Sequence, residues 1–128
     1  MPFDHIIDHE GRIVVVWGTG EGSIKETVDS FHRLIEDQSI GNDYAFMFVI
    51  NDIALRPTPD QMWIIASFLE NMLSRFSGRM AIVASKVGQF SAAHLITFGA
   101  DKGVRRLQVF PSESQAREWL LQTTPEYS

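Results

Sequence analysis

Residues 44–50 read Tyr-Ala-Phe-Met-Phe-Val-Ile, an apolar run without a charged side chain. Apolar side chains at every position, rather than at alternate positions, are typical of a strand that is buried on both faces. The run therefore predicts a strand in the middle of the molecule, with the other elements arranged around it.

Three helix starts are predicted by capping boxes. In such a box, a serine or threonine side chain accepts a hydrogen bond from a backbone N–H of the first turn, and a Glu or Gln three residues later reaches back to the N–H of the cap. The box that follows the central run has Pro59 at the first helical position, where a missing N–H is harmless. The three boxes are Ser23 with Glu26, Thr58 with Gln61, and Ser112 with Gln115.

Strands and helices alternate along the chain. Gly78 and Gly99 are the expected stop signals of the second and third helices. Residues 19–22 and 51–57 are expected connections, and the residues from 123 onward are an expected tail. We predict strands at residues 3–8, 12–18, 44–50, 80–84 and 104–110, and helices at residues 23–37, 58 to about 75–77, 89–98 and from 112.

The order β-β-α-β-α-β-α-β-α predicts one α/β domain over residues 1–128. The first two strands are close enough in sequence to pair as an antiparallel hairpin. The later strands, each separated by a helix, are expected to be parallel and joined by right-handed crossovers. We therefore expect a mixed, mostly parallel five-stranded sheet with four helices.

Composition limits the possible functions. The formal net charge is −5, whereas a general nucleic-acid binder needs a basic surface, and the one basic cluster (Lys102, Arg105 and Arg106) is short. The chain has no cysteine, which excludes a disulfide, a thiolate nucleophile and a Cys-ligated zinc. The first residues lack the pattern of a signal peptide, and no apolar run is long enough for a membrane span. We therefore expect a cytoplasmic protein without a transmembrane segment.

The last strand and helix resemble those of a known family. Residues 104–110 end in Phe, and the following helix carries Ala-x-x-Trp-Leu at residues 116–120. The middle of the chain is similar as well, with an apolar strand ending at Asp52, a loop, and Thr58-Pro59 opening a long helix. In these features, and in element order over nearly the whole chain, the sequence resembles the SpoIIAA-like proteins of the STAS group. That group includes bacterial anti-sigma-factor antagonists and SEC14-related lipid-binding domains.

The resemblance implies a non-catalytic regulatory domain without a cofactor. Sigma-regulating antagonists carry Asp-Ser-Ser/Thr-Gly before the corresponding helix, and the serine is phosphorylated. This chain instead has Arg-Pro-Thr-Pro-Asp at residues 56–60, so Thr58 is the candidate phosphoacceptor. A phosphate there would meet the free N–H groups of a helix N-terminus, although Asp60 would repel it. The alternative is that Thr58 is an ordinary N-cap.

The second predicted helix offers a candidate surface. At about 100° per residue, Ile64 and Phe68 lie beside its core stripe and Trp63 lies well off it. Three large apolar residues in these positions could bind a partner or a ligand. The alternative is that they pack under the first helix or a loop. The core stripe itself consists of Met62, Ile65, Ala66, Leu69, Leu73 and Phe76.

Other candidate residues give weaker signals. His5 and His9 lie among acidic residues, but four positions along a strand separate them too far for one metal ion. His94 has a serine nearby without an orienting acid, and Asp52 has no partner acid or base. Residues 18–23 contain Gly-x-Gly-x-Gly but form neither a P-loop nor a dinucleotide fingerprint, so we expect a flexible connection. We therefore assign no catalytic, cofactor-binding or metal-binding residue.

Two functions are compatible with these expectations. The first is binding of a protein partner, or homodimer formation, through helix 2 and the preceding loop. The alternative, by analogy with SEC14-related domains, is a carrier of a small hydrophobic ligand or lipid. A carrier needs an apolar cavity, which we expect between helices 2 and 3 and the sheet. An enzyme using Asp52, His94 or the glycine-rich segment ranks last, because no nucleophile, base and acid can be assembled.

Overall fold

The computed structural model describes residues 3–54, 58–101 and 106–122. Its five strands form one sheet and lie side by side in chain order. The first two strands are antiparallel, and all the other neighbours are parallel. The strands are β1 Phe3–Asp8, β2 Ile13–Glu21, β3 Ala45–Ala54, β4 Met80–Val83 and β5 Leu107–Phe110.

Four helices connect or follow these strands, and the order of elements is the predicted one. The mixed, mostly parallel sheet is likewise confirmed. The helices are α1 Ile24–Glu36, α2 Pro59–Arg75, α3 Val87–Asp101 and α4 Glu113–Leu121.

The first three helices lie on one face of the sheet, and α4 lies on the other. When parallel strands follow one another across a sheet through crossovers of the same hand, their helices collect on one face. Phe46 and Phe48 of β3 belong to the larger core under α1, α2 and α3, whereas Met47 packs with Ala116 of α4. Because side chains alternate along a strand, the apolar run of β3 fills two cores.

All three predicted helix starts are N-caps. The side chains of Ser23, Thr58 and Ser112 each accept a hydrogen bond from the backbone N–H three residues later. Only Thr58 completes the reciprocal bond, from its own N–H to Oε1 of Gln61 at 3.0 Å. The two serine hydroxyls instead donate to the Glu or Gln of their own box.

β2 and β3 run further than the sequence predicts. Residues 19–21 were expected in a flexible connection and residues 51–54 in a loop, but the two segments pair with each other beyond an irregularity in register. Gly20 has a φ of 73°, a conformation that glycine adopts without strain. Residues 19–21 contain no apolar side chain and pair with residues 52–54 of a distant segment, so periodicity could not reveal the pairing.

Neither predicted glycine stop acts as one. α3 continues through Gly99, since one glycine in a helix costs only about 1 kcal/mol. α2 ends at Arg75 as predicted, but its C-cap is Phe76 in an extended conformation. Gly78 serves a different purpose, because a Cβ at this position would collide with the backbone carbonyl of Tyr44. This glycine allows two chain segments to approach closely.

Arg106 closes the C-terminal end of α2. Its guanidinium donates hydrogen bonds to the backbone carbonyl oxygens of Leu73, Phe76 and Gly78, over distances of 2.7 to 3.0 Å. The other two members of the predicted basic cluster lie outside the described residues. So do residues 55–57 of the predicted loop, the start of the predicted last strand and the predicted tail.

Candidate functional site

The carboxyl ends of β2, β3, β4 and β5 lie at one edge of the sheet because these strands are parallel. α1, α2 and α3 begin near this edge, since each follows one of the strands. β1 runs the opposite way, so its first residue, Phe3, lies beside Gly18 at the same edge.

A cavity of about 110 Å³, partly open to solvent, lies between the sheet and these three helices toward that edge. Its floor consists of Phe3, Phe48, Ile50 and Ile82. Phe48 and Ile50 are two positions apart on β3 and therefore share a face of the sheet. The described side chains of the floor are all apolar.

Two walls of the cavity come from α1 and α2. Thr27 and Phe31 are one helical turn apart, as are Ile65 and Leu69, so each pair lies on one face of its helix. The Phe31 ring is stacked with the ring of Phe68 at a centroid distance of 5.9 Å. Three large apolar side chains and Thr27 therefore form these walls, and the ring of Phe31 is supported by a second ring.

α3 completes the cavity with Gln89, Ala92, Ala93 and Ile96. These positions have the i, i+3, i+4, i+7 spacing of one helix face. Two of the four are alanines, whose methyl groups do not reach far toward the sheet. Protein interiors are otherwise close-packed, so the small side chains of α3 account for the open volume.

Two of the lining side chains are polar. The Thr27 hydroxyl donates to the carbonyl oxygen of Ser23 at 2.9 Å, within its own helix. Gln89 is half-buried, and its side-chain oxygen is shielded from solvent. Among the residues that the structure describes, none of the side chains lining the cavity is charged. The cavity can therefore enclose a neutral apolar group.

The start of α3 is held by a hydrogen bond from the neighbouring strand. Oδ1 of Asn51 in β3 accepts from the backbone N–H of Ser85, in the connection between β4 and α3, at 2.8 Å. The N–H of Phe90 then bonds to the carbonyl oxygen of Lys86 at 2.8 Å. This hydrogen bond thus links β3, which supplies part of the floor, to the segment that leads into α3, which supplies the remaining wall.

The candidate surface on helix 2 divides into two parts. Trp63 is 66% exposed and Ile64 is 42% exposed. Phe68 is half-buried between the rings of Phe31 and His32, at centroid distances of 5.9 and 5.0 Å. Phe68 therefore packs between α1 and α2, as the alternative interpretation supposed, whereas the other two residues face solvent.

Thr58 is the N-cap of α2. Its hydroxyl oxygen accepts from the N–H of Gln61 at 3.2 Å, and the residue is exposed. The capping role accounts for a threonine at this position, and phosphorylation of Thr58 stays a prediction.

The remaining candidates are not brought together. Nδ1 of His9 lies 2.8 Å from the hydroxyl of Tyr44, at the amino edge of the parallel strands, away from the cavity. The exposed His94 packs its ring against a phenylalanine one turn earlier. Asp52 is exposed on the extended end of β3. Within the described residues, no three His, Asp or Glu side chains are grouped so that they could hold a metal ion.

A cavity was expected between the second and third helices and the sheet; the observed cavity lies there and is also lined by α1, and its lining residues were not predicted. α1 and α2 supply positions that their periodicity marked as core, such as Phe31, Ile65 and Leu69. Gln89 and the two alanines of α3 were not singled out. The adjacent alanines at positions 92 and 93 were the available signal in the sequence. The signal is weak, because tight helix packing produces the same pattern.

No protein-family model matches this chain, and no curated protein is significantly similar to it. Of the helices in the described part of the chain, none combines the length and apolar character needed to cross a bilayer.

Proposed function

We propose that this protein is a non-catalytic binding domain for a small apolar molecule, which it holds in the cavity between α1, α2, α3 and the sheet. The observation that supports this proposal is the lining. Among the residues that the structure describes, twelve side chains surround a space of about 110 Å³, ten of them are apolar, and the space is partly open to solvent. A pocket with apolar walls and few polar groups is the usual form of a small-molecule site.

The size of the cavity suits a small ligand. An engineered apolar cavity of about 150 Å³ stays dry and binds benzene. The present cavity is of comparable size and is lined by strands of the sheet and by α1, α2 and α3. A longer molecule would place one end inside and extend through the open side.

Binding of benzene, followed by two-dimensional NMR of the intact chain, tests this proposal. We expect saturable shifts of the signals of Ala92 and Ala93 in the parent. The variant Ala93→Leu fills the cavity and should abolish the shift of Ala92. The control Leu95→Ala changes an exposed residue of the same helix and should bind benzene as the parent does. Shifts that persist unchanged in Ala93→Leu, or that never appear in the parent, would refute the proposal.

A second candidate function is binding of a protein partner or a second copy through the outer face of α2. The observation in its favour is the exposure of Trp63 and Ile64 one after the other on that helix. Exposed aromatic residues are enriched at interfaces. The resemblance to STAS domains, which regulate through protein contacts, points in the same direction but is an analogy.

Light scattering of Trp63→Asp tests this candidate. We expect the parent to form dimers at high concentration and the variant to stay monomeric. An aspartate at the centre of an apolar contact would lose its hydration without gaining a partner, and this cost disfavours association. Asn71→Asp is the matched control, since it adds the same charge at another exposed position of α2. Identical masses for all three proteins would exclude self-association through this face.

A further inference from the structure

We propose that the part of the sheet beside α4, over β1 and β2, binds an amphipathic helix of a partner protein whose apolar stripe is flanked by lysine or arginine. This inference goes beyond the proposed function, because the cavity lies on the opposite face of the sheet.

The layer that contains α4 covers only part of its side of the sheet. Of the four helices that the structure describes, α4 lies on this side, where it packs on β3, β4 and β5. A helix with its side chains is about 10 Å wide, whereas five strands about 4.8 Å apart span about 19 Å. The described helices therefore leave the β1 side of this face open, over about the width of one more helix.

The open part of the sheet carries four apolar side chains. Ile6 of β1 lies opposite Val15 of β2, and Trp17 of β2 lies beside Val49 of β3. Val15 and Val49 pack at the border of the core under α4, and side chains that lie opposite one another, or two positions apart, share a face. Ile6 is 60% exposed and the other three are half-buried. We call these four residues the open sheet face.

Two carboxylates flank Ile6 on the same face. Asp4 and Asp8 each lie two positions from it along β1, and both are exposed. Oδ1 of Asp8 accepts a hydrogen bond from the N–H of Gly11 at 2.9 Å. Within the described part of the chain, neither carboxylate forms an ion pair. The open sheet face therefore has a negatively charged rim, which lysine or arginine beside an apolar stripe would complement.

The same rim disfavours a second copy of this chain as the occupant. A two-fold contact uses the same surface of both copies, so the Asp4 and Asp8 carboxylates of both would surround one apolar contact. Juxtaposed like charges oppose association, and the formal net charge of −5 adds to the repulsion. A basic partner gains from the charges that a second copy would have to overcome.

Two-dimensional NMR of the full chain, titrated with a synthetic helical peptide, tests the inference. The peptide carries a leucine stripe flanked by lysines and has about 14 residues, which follow the roughly 20 Å of β1. We expect the indole N–H signal of Trp17 to shift saturably and that of Trp63, which is exposed on α2, to stay in place. A matched peptide with glutamate in place of every lysine should not bind.

One pair of variants tests the apolar contact. Ile6→Thr keeps a β-branched residue in the strand but removes apolar area, so it should weaken binding of the lysine peptide about tenfold. Leu95→Thr makes a similar change at a similarly exposed position of α3, on the other side of the sheet, and should bind the peptide as the parent does.

A second pair of variants tests the charged rim. Asp4→Asn combined with Asp8→Asn should weaken binding of the lysine peptide roughly threefold to tenfold, because two exposed ion pairs are lost. Glu36→Gln combined with Glu118→Gln removes the same charge from exposed positions of α1 and α4, and should bind almost as the parent does.

Each contrary result refutes a stated part of the proposal. Equal effects of Ile6→Thr and Leu95→Thr, or a shift of Trp63 in place of Trp17, would refute the open sheet face as the site. Equal affinities for the two peptides, or equal effects of the two charge variants, would refute a basic partner. If the parent binds neither peptide, or if light scattering shows a dimer that Ile6→Thr disrupts, the proposed occupant is wrong. The cavity is tested separately by benzene, so none of these results affects the proposed function.

Discussion

Replacement of Ala93 by leucine should stabilise this protein, although most substitutions in a core do the opposite. Ala93 is 2% exposed and lines the cavity. Leucine adds three carbon atoms, which need on the order of 90 Å³ if each takes about the share of a water molecule. The cavity holds about 110 Å³, which exceeds the volume that leucine adds.

The expected gain can be worked out from burial. Three buried carbon groups contribute about 2.4 kcal/mol at about 0.8 kcal/mol each. The side-chain entropy that leucine loses on burial reduces this gain by about 0.5–1 kcal/mol. The lower helix propensity of leucine reduces it by a few tenths of a kcal/mol at most. The free energy of unfolding should therefore rise by about 1–2 kcal/mol. In a domain of this size, the melting temperature should rise by about 5 °C.

The matched control is Ala81→Leu. Ala81 is fully buried in β4 on the opposite face of the sheet, in the small core under α4. Overpacking of a filled core costs about 1–3 kcal/mol, so this variant should be destabilised. Urea unfolding at constant m-value measures both changes. If Ala93→Leu is destabilised as much as Ala81→Leu, the cavity is not available in solution and the proposed function loses its basis.

Two further predictions concern stability away from the cavity. Arg106→Met removes three hydrogen bonds to backbone carbonyl oxygens at the end of α2, and we expect urea unfolding to show a loss of about 2–4 kcal/mol. Arg117→Met, at an exposed position of α4, should change stability by less than about 0.5 kcal/mol, and an equal loss in both variants would contradict the role of Arg106. Hydrogen bonds from the hydroxyl and the N–H of Ser39 hold the pKa of Asp37 below its usual value. This contribution to stability is present above the usual aspartate pKa and is lost as the pH falls through the lowered one. The free energy of unfolding, measured with urea at a series of pH values, should therefore fall less for Asp37→Asn than for the parent between pH 5 and pH 2.5. An equal fall in the two proteins would contradict the role of the Asp37 carboxylate.

The helix starts could be predicted because they depend on short-range chemistry. The hydroxyl of Thr58 and the side chain of Gln61 are three residues apart, so the bonds between them are encoded in one turn of chain. The central strand could be predicted for a related reason. An apolar side chain at every position from 44 to 50 is compatible with burial on both faces, and the two cores on β3 confirm it.

Pairing between distant segments could not be predicted in the same way. Residues 19–21 are polar and glycine-rich, and they become part of β2 only because residues 52–54 lie beside them. Phe68 lies beside the core stripe of α2 by periodicity. Its burial depends on Phe31 and His32 of another helix. Gly78 resembled a helix stop, and its actual constraint is the backbone of Tyr44, which lies far away in sequence.

The sequence by itself determined the order of strands and helices, the points where helices begin and the strand that lies in the middle, because each depends on neighbours within one turn or one run. The tertiary structure decided the cavity. Its volume is the space left when the alanines of α3 face Phe31 of α1, Leu69 of α2 and the floor of the sheet. No single segment contains that space, since it exists only between elements that are distant along the chain.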